Sequence, residues 1–282
     1  MKLQCTFVCL LFILAIGLMG CGNNNGKKLK SDKPDGTGFD TITYTIKTIT
    51  RDDDDCDSVK EKNCRIINIR YHFFDSHPVL NDSVKSLLLA IYPFERSGSA
   101  SKPSLEGQAD EFMEQYRKFR KEPYSEGRRY ELISSTKVLT ESGDLFTMQL
   151  DSYTYSGGAH GASFTRFFNY DVKSKKMVHL QDVLNEGFKD SLNVIAEQIF
   201  KKNEGLDVGK PLPSSGYFFE NDKFSLNDNY VFTPQGIMFL YNQYEIKPYA
   251  AGQTKLLIPY DLIKKLMKPG TVLDQFSNSQ RK

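Results

Sequence analysis

The 282 residues carry 37 Lys and Arg against 35 Asp and Glu, for a formal charge of +2. With no dense basic block, that balance argues against nucleic acid as a partner. The length suits one large domain or two small ones once a leader is set aside.

Residues 1–20 read as a lipoprotein signal peptide. Met1-Lys2 is a minimal basic start, and Thr6 to Met19 is an apolar run of fourteen residues. A spanning helix needs about 20, so the run suits a signal core. It ends at Leu18-Met19-Gly20-Cys21, which resembles a bacterial lipobox. The resemblance implies that Cys21 carries lipid and becomes the mature N-terminus; the alternative is an ordinary signal peptide with Cys21 a bystander. Residues 21–40 are rich in Gly, Asn, Lys, Asp and Pro. Such a stretch buries no core and is expected to be a flexible tether with a root-mean-square span of roughly 25 Å. The expected address is the cell envelope, on the outer membrane facing the periplasm, with the membrane reached through the anchor at Cys21.

Thr41 to Thr48 alternates, with Ile42, Tyr44 and Ile46 on one face, which predicts a half-buried strand. Arg65 to Phe74 predicts a second, with Ile67, Ile69, Tyr71 and Phe73 on one face. Cys56 and Cys64 lie between them, an even pair for an oxidising compartment. A bridge would close a nine-residue loop, worth about 2.6 kcal/mol by chain entropy; two free thiols are the other reading. The aspartates at 52–55 lack the alternating ligands, Gly and terminal Glu of an EF-hand loop, and read as solvated. No metal site is expected, because closed zinc sites take four ligands and two lone cysteines supply too few. No cofactor is expected either.

A helix is predicted from Asn81-Asp82, with Val84, Leu87, Leu88 and Ile91 on its apolar stripe. A second follows Ser104, with Ala109, Phe112, Tyr116 and Phe119 aligned, and ends before Pro123. Period two returns from Arg128, placing Tyr130, Leu132 and Ser134 on one face, and again over Leu145 to Leu150. Phe167, Phe168 and Tyr170 mark another strand, and Asp190 to Lys202 a helix with Leu192, Ile195, Ala196 and Ile199 inward. Aromatic strands are expected near Tyr217-Phe218-Phe219 and over Asn229 to Phe232. A turn at Thr233-Pro234-Gln235-Gly236 leads back into Ile237 to Tyr241. A strand at Lys255 to Ile258 and a short helix over Tyr260 to Met267 close the pattern. Strands and helices come in blocks, so the expected class is α+β, mainly antiparallel sheets with packed helices. Two small subdomains are expected. The first is 41–125 with the Cys56–Cys64 hairpin; the second is 126–270. Residues 271–282 read as a frayed tail.

The densest glycine cluster, Gly157, Gly158 and Gly161 around Ala159 and His160, lies between two predicted strands. Glycines there supply unusual backbone angles or let a ligand approach the backbone. Ser156, Gly157, Gly158 and His160 are candidate ligand contacts, as consecutive N–H groups can form an anion nest; bracing of a tight turn is the plainer reading. Ser156 and His160 would also form a nucleophile–base pair if brought together, although no Gly-x-Ser-x-Gly motif is present. Tyr153, Tyr155, Tyr244 and Tyr249 are candidates to line a carbohydrate or protein surface, or to face outward from a sheet.

Tyr155-Ser156-Gly157-Gly158-Ala159-His160-Gly161, with Phe168-Asn169-Tyr170-Asp171 and Leu180-Gln181-Asp182-Val183-Leu184, resembles a bacterial envelope domain of unknown function. That domain forms the extracellular part of a lysozyme-sensing anti-sigma factor and sits beside the catalytic domain of a peptidoglycan deacetylase. Phe232-Thr233-Pro234-Gln235-Gly236, Tyr244-Glu245-Ile246-Lys247-Pro248-Tyr249-Ala250-Ala251-Gly252 and Ile258-Pro259-Tyr260 resemble its closing strands. Residues 143–265 carry most of the likeness. The stretch from Thr41 to Tyr92 is more weakly similar to the companion N-terminal domain. Neither a sigma-binding segment nor a polysaccharide-deacetylase domain is present in these residues. The resemblance therefore implies a lipid-tethered, non-catalytic binding or sensory module, with a lysozyme-like protein or peptidoglycan as ligand. The alternative is a peptidoglycan or glycan hydrolase, or a deacetylase-like enzyme, using the Ser156/His160 turn.

Overall fold

The computed structural model describes residues 42–54, 56, 64–92, 104–207 and 211–277. The expected signal peptide at 1–20, the expected lipid site Cys21 and the expected tether at 21–40 lie outside the described residues.

β1 (Thr45–Asp52) and β2 (Arg65–Phe73) form an antiparallel hairpin. Cys56 and Cys64 are bridged in the connection, with Cα atoms 5.6 Å apart. The aspartates at this end do more than meet solvent. Asp52 pairs with Arg65, Asp54 with Arg117, and Asp53 accepts from the Tyr116 hydroxyl at 2.7 Å. Exposed pairs are individually worth little, but the first closes the hairpin and the other two fasten its end to the second helix.

Pro78 opens α1 (Pro78–Ala90), three residues before the predicted start, because the first turn needs no proline N–H. Ser104 caps α2 (Leu105–Phe119) by accepting from the Gly107 N–H at 3.0 Å. The predicted stripe of Ala109, Phe112, Tyr116 and Phe119 is buried. β3 (Glu131–Ser142), β4 (Leu145–Tyr155), β5 (Ala162–Asp171) and the short β6 (Lys176–Met177) follow. The sheet order is β1-β2-β3-β4-β5-β6. Every pair is antiparallel except β2 with β3, which is parallel. A parallel pair needs a long crossover, and the chain supplies α1 and α2 there. Both helices pack on one face of the sheet, burying Leu80, Val84, Phe112 and Tyr116 with Ile67, Phe146, Met148 and Tyr170. The expected boundary at 125 thus falls between two strands that hydrogen-bond to each other.

α3 (Leu180–Val183) and α4 (Phe188–Asn203) precede a second, antiparallel sheet. Its order is β7 (Tyr230–Thr233), β8 (Gly236–Tyr241), β9 (Thr254–Pro259). Leu192, Ala196 and Phe200 of α4 share a core with Phe232, Phe239 and Ile258. Residues 217–219 form no strand. The Tyr217 and Phe219 rings instead pack edge-on to Phe200, at centroid distances of 5.0 and 5.7 Å. Their aromatic content serves a core and not a ladder. α5 (Tyr260–Ile263) and α6 (Asp274–Ser277) end the described chain. The expected fraying does not begin at 271: Leu273 and Phe276 are buried, and Phe276 stacks on Tyr260.

Asparagine side chains stitch the two sheets together. The free edge of β5 would leave backbone groups at alternate residues unpaired. Asn229 Oδ1 accepts from the Phe167 N–H at 3.0 Å, and its Nδ2 donates to Thr165 O at 2.8 Å and to Leu240 O at 3.1 Å. Asn169 reciprocates, donating to Tyr230 O at 3.0 Å and accepting from the Phe232 N–H at 2.9 Å. Asn242 accepts from the Thr165 N–H at 2.7 Å. These amides copy peptide groups, so the second sheet is held beside the first without a strand ladder. The architecture is α+β with mainly antiparallel sheets.

Candidate functional site

The glycine cluster is the β4–β5 hairpin turn, closing where Thr154 faces Ala162. The three glycines serve different ends. Gly157 sits at φ +85°, and a Cβ there would meet the Phe119 ring at 2.9 Å. Gly161 is required by proximity: a Cβ would lie 2.2 Å from the Tyr153 hydroxyl oxygen. At Gly158 the φ is not positive and nothing lies closer than 3.9 Å, so neither reason applies. The Tyr155 hydroxyl donates to Gly158 O at 3.0 Å and braces the turn.

His160 is exposed, and both ring nitrogens have partners: Nδ1 with Gly161 O at 2.9 Å, Nε2 with the Tyr244 hydroxyl at 3.2 Å. Among the described residues no hydrogen bond joins His160 to Ser156, so the nucleophile–base pair of the alternative reading is not assembled. The imidazole instead stacks on Tyr249, with centroids 4.0 Å apart and planes 18° apart, and Tyr244 lies 5.4 Å from Tyr249. Tyr244 is 57% exposed and holds φ +66°, an uncommon angle for a bulky residue. Both tyrosines come from residues 242–253, the β8–β9 connection. The turn of one sheet and the connection of the other thus meet in an aromatic cluster.

Beside this cluster lies a groove of about 460 Å³. Its floor is the face of β3–β5 turned away from α1 and α2. Ser135, Asp151, Tyr153 and Thr165 line it, with Gln243 and Gln253 from the β8–β9 connection. A hydrogen-bond chain fixes the polar floor. The Thr165 hydroxyl donates to Asp151 Oδ1 at 2.7 Å, and Gln149 Nε2 donates to the same carboxylate at 2.8 and 2.7 Å. Gln253 Nε2 donates to the Thr165 hydroxyl oxygen at 3.2 Å. Burial, then the Glu131 charge and the neighbouring Tyr249 and Tyr155 hydroxyls, push the Tyr153 phenol up. That tyrosine joins the groove to the aromatic rim.

Of the sequence candidates, His160 and Tyr249 meet directly, Tyr155 and Gly158 bond within the turn, and Ser156 and Gly157 take no part in the rim contacts. Asp151, Thr165, Gln243 and Gln253 were not singled out from sequence. A local signal existed for one strand only: Gln149, Asp151 and Tyr153 alternate onto the face that Phe146, Met148 and Leu150 leave. Among the described residues no group of three or more His, Cys, Asp or Glu is placed to hold a metal ion, and no helix is long and apolar enough to cross a membrane.

The chain matches two family models in tandem: "Deacetylase PdaC" over residues 58–163 and "Protein of unknown function (DUF3298)" over residues 181–261. It is 23% identical over 180 residues to the peptidoglycan-N-acetylmuramic acid deacetylase PdaC of Bacillus subtilis, covering 63% of this chain. The chain spans only 38% of that relative's length. Two solved structures share the fold. A DUF3298-family protein from Bacteroides fragilis matches at TM-score 0.62 and 20% identity, over 84% of this chain and 98% of that one. A second, from Pseudomonas aeruginosa, matches at TM-score 0.62 and 22% identity, over 82% of this chain and 96% of that one. The chain is thus similar to PdaC-type sequence over 58–163 and to DUF3298 sequence over 181–261, and shares the fold that solved DUF3298 proteins adopt.

Proposed function

We propose that this protein is a non-catalytic binding module of the bacterial cell envelope, tethered through lipid at Cys21 to the outer membrane on its periplasmic side, and that it holds a peptidoglycan glycan strand in the groove beside His160. The observation that carries the reading is the stacked His160–Tyr249 pair, with Tyr244, beside a groove whose floor is a fixed carboxylate and amide network. A pyranose ring has an apolar face that stacks on an aromatic ring and a rim of hydroxyls that need both donors and acceptors. The groove offers both: Asp151 accepts, while Gln243 and Gln253 supply amides. The similarity to a peptidoglycan deacetylase supports an envelope setting and a glycan polymer as ligand. In the proposed role His160 is a stacking surface, since its nitrogens are engaged by Gly161 and Tyr244.

Co-sedimentation of the lipid-free chain with purified peptidoglycan tests this. Wild type should pellet with it, and Tyr249→Ala should bind about 10-fold more weakly, the loss of roughly 1.4 kcal/mol expected for one stacking contact. Failure of wild type to pellet, or equal pelleting of the variant, would refute the reading. Retention of the chain on immobilised lysozyme but not on peptidoglycan would also refute it, in favour of a protein ligand. The lipid tether has its own check: mass spectrometry of the membrane-extracted protein should show an acylated Cys21.

A further inference from the structure

Successive β5 residues point to opposite faces of the sheet. Thr165 faces the glycan groove, so Arg166 faces the other way. Two clefts, of about 400 and 420 Å³, meet at Arg166 and share it with His179, Asp228 and Tyr230. Arg166 is half-buried, yet among the described residues its guanidinium makes no hydrogen bond or ion pair. A guanidinium with no fixed partner at a cleft has its donors left for a ligand. The fork of donors on arginine matches a carboxylate in particular.

We propose that this trough binds the free carboxylate of a short peptide, gripped by the Arg166 guanidinium and the Tyr230 hydroxyl. The site lies on the opposite face of β5 from the glycan groove and does not depend on that reading. Tyr230 is suited to the second role. Its hydroxyl oxygen accepts the Leu180 N–H at 3.0 Å, which leaves its hydrogen to donate. Burial first, opposed by the Leu180 N–H and Arg166 and reinforced by Asp228 and Asp182, pushes the Tyr230 phenol up to about 12, so it remains a donor at neutral pH. Asn193 adds a further donor, because its Oδ1 is used by the Leu226 N–H at 3.1 Å and its amide nitrogen is left for a ligand.

The surroundings decide between kinds of anion. Arg166 and Lys189 set against Asp228 leave one net positive charge among the Lys, Arg, Asp and Glu side chains that line the two clefts, which a dianion such as phosphate would exceed. A carboxylate carries one charge. Leu87 on one side and Leu192 and Leu226 on the other give apolar walls that a peptide side chain can cover and an inorganic ion cannot.

Isothermal titration of the full chain with N-acetyl-alanyl-alanine, its C-terminal amide and inorganic phosphate tests the proposal. The free acid should bind, the amide at least about 10-fold more weakly, and Arg166→Gln should lose the same factor for the acid. Tyr249→Ala should leave acid binding unchanged, which separates this site from the glycan groove. Equal binding of acid and amide, no binding of the acid, or full retention by Arg166→Gln would each overturn it. So would displacement of the peptide by an equal concentration of phosphate. If Arg166→Gln does not fold, the wild-type comparison of acid with amide still decides.

Discussion

His72 is 8% exposed, between Tyr44 and Phe74. Its backbone N–H donates to the Thr136 hydroxyl at 2.8 Å, and that hydroxyl lies 2.7 Å from Nδ1. One hydroxyl thus engages both the backbone and the ring of His72. Burial lowers the His72 pKa to about 4, and burial followed by the Lys175 charge lowers that of His77. The unfolded chain takes up these protons near pH 6.5 while the folded chain resists. Their contribution to stability is therefore complete above pH 6.5 and is lost as pH falls towards 4. For His72 this amounts to roughly 1–2 kcal/mol after allowance for solvent screening. His72→Phe should flatten the fall in urea midpoint between pH 7 and 4.5; identical slopes in variant and wild type would reject the assignment. At this scale the sequence was legible in part. Three glycines around His160 marked a turn, but whether each glycine answers to φ or to a neighbour depends on Phe119 and Tyr153, which local spacing does not reveal. His160 itself drew attention as a chemical group, and its partners Tyr244 and Tyr249 lie more than 80 residues away in the chain.

Elements with strong local signals were readable: α2 from its Ser104 cap and aromatic stripe, β4 from period two, and β5 from Phe167, Phe168 and Tyr170. Residues 217–219 misled because a dense aromatic run suits a strand and a loop packed on Phe200 equally well. The join between the sheets was invisible in sequence. Asn229 stands at the head of the expected strand 229–232, where local spacing does not mark a side chain that bonds a distant backbone, and its partner Phe167 is 62 positions distant. That join carries a prediction. Asn229 is 2% exposed and satisfies three backbone groups. Asn229→Ala strands them without water and should cost about 2–4 kcal/mol in urea unfolding, with an unchanged m-value. Asn229→Asp should cost more, since an acceptor then faces Thr165 O and Leu240 O where a donor stood. If both variants unfold at the wild-type midpoint, the asparagine stitches do not hold the sheets together.

For the whole molecule, the expected boundary at residue 125 falls inside the first family segment, 58–163, and the structure ties its two sides together at several levels. β2 pairs with β3 across residue 125, and the crossover helices cover the inner face of β3–β5. A chain of residues 126–277 would keep β3 to β9 but lose that cover. Phe146, Met148, Leu150, Phe168 and Tyr170, all buried in the full protein, would face water. Each fully buried large side chain is worth about 1.5–3 kcal/mol, so exposing five of them rivals the 5–15 kcal/mol by which domains of this size are stable. The fragment should therefore lack a cooperative thermal transition and bind a hydrophobic dye, while the chain from 42 to 277 should unfold in one step. A sharp transition in the fragment would show that the second sheet and α4 suffice as a folding unit. The glycan groove follows the same logic. Its floor belongs to the first sheet and its aromatic rim to the connection of the second, so binding a ligand there should stabilise the two cores as one body.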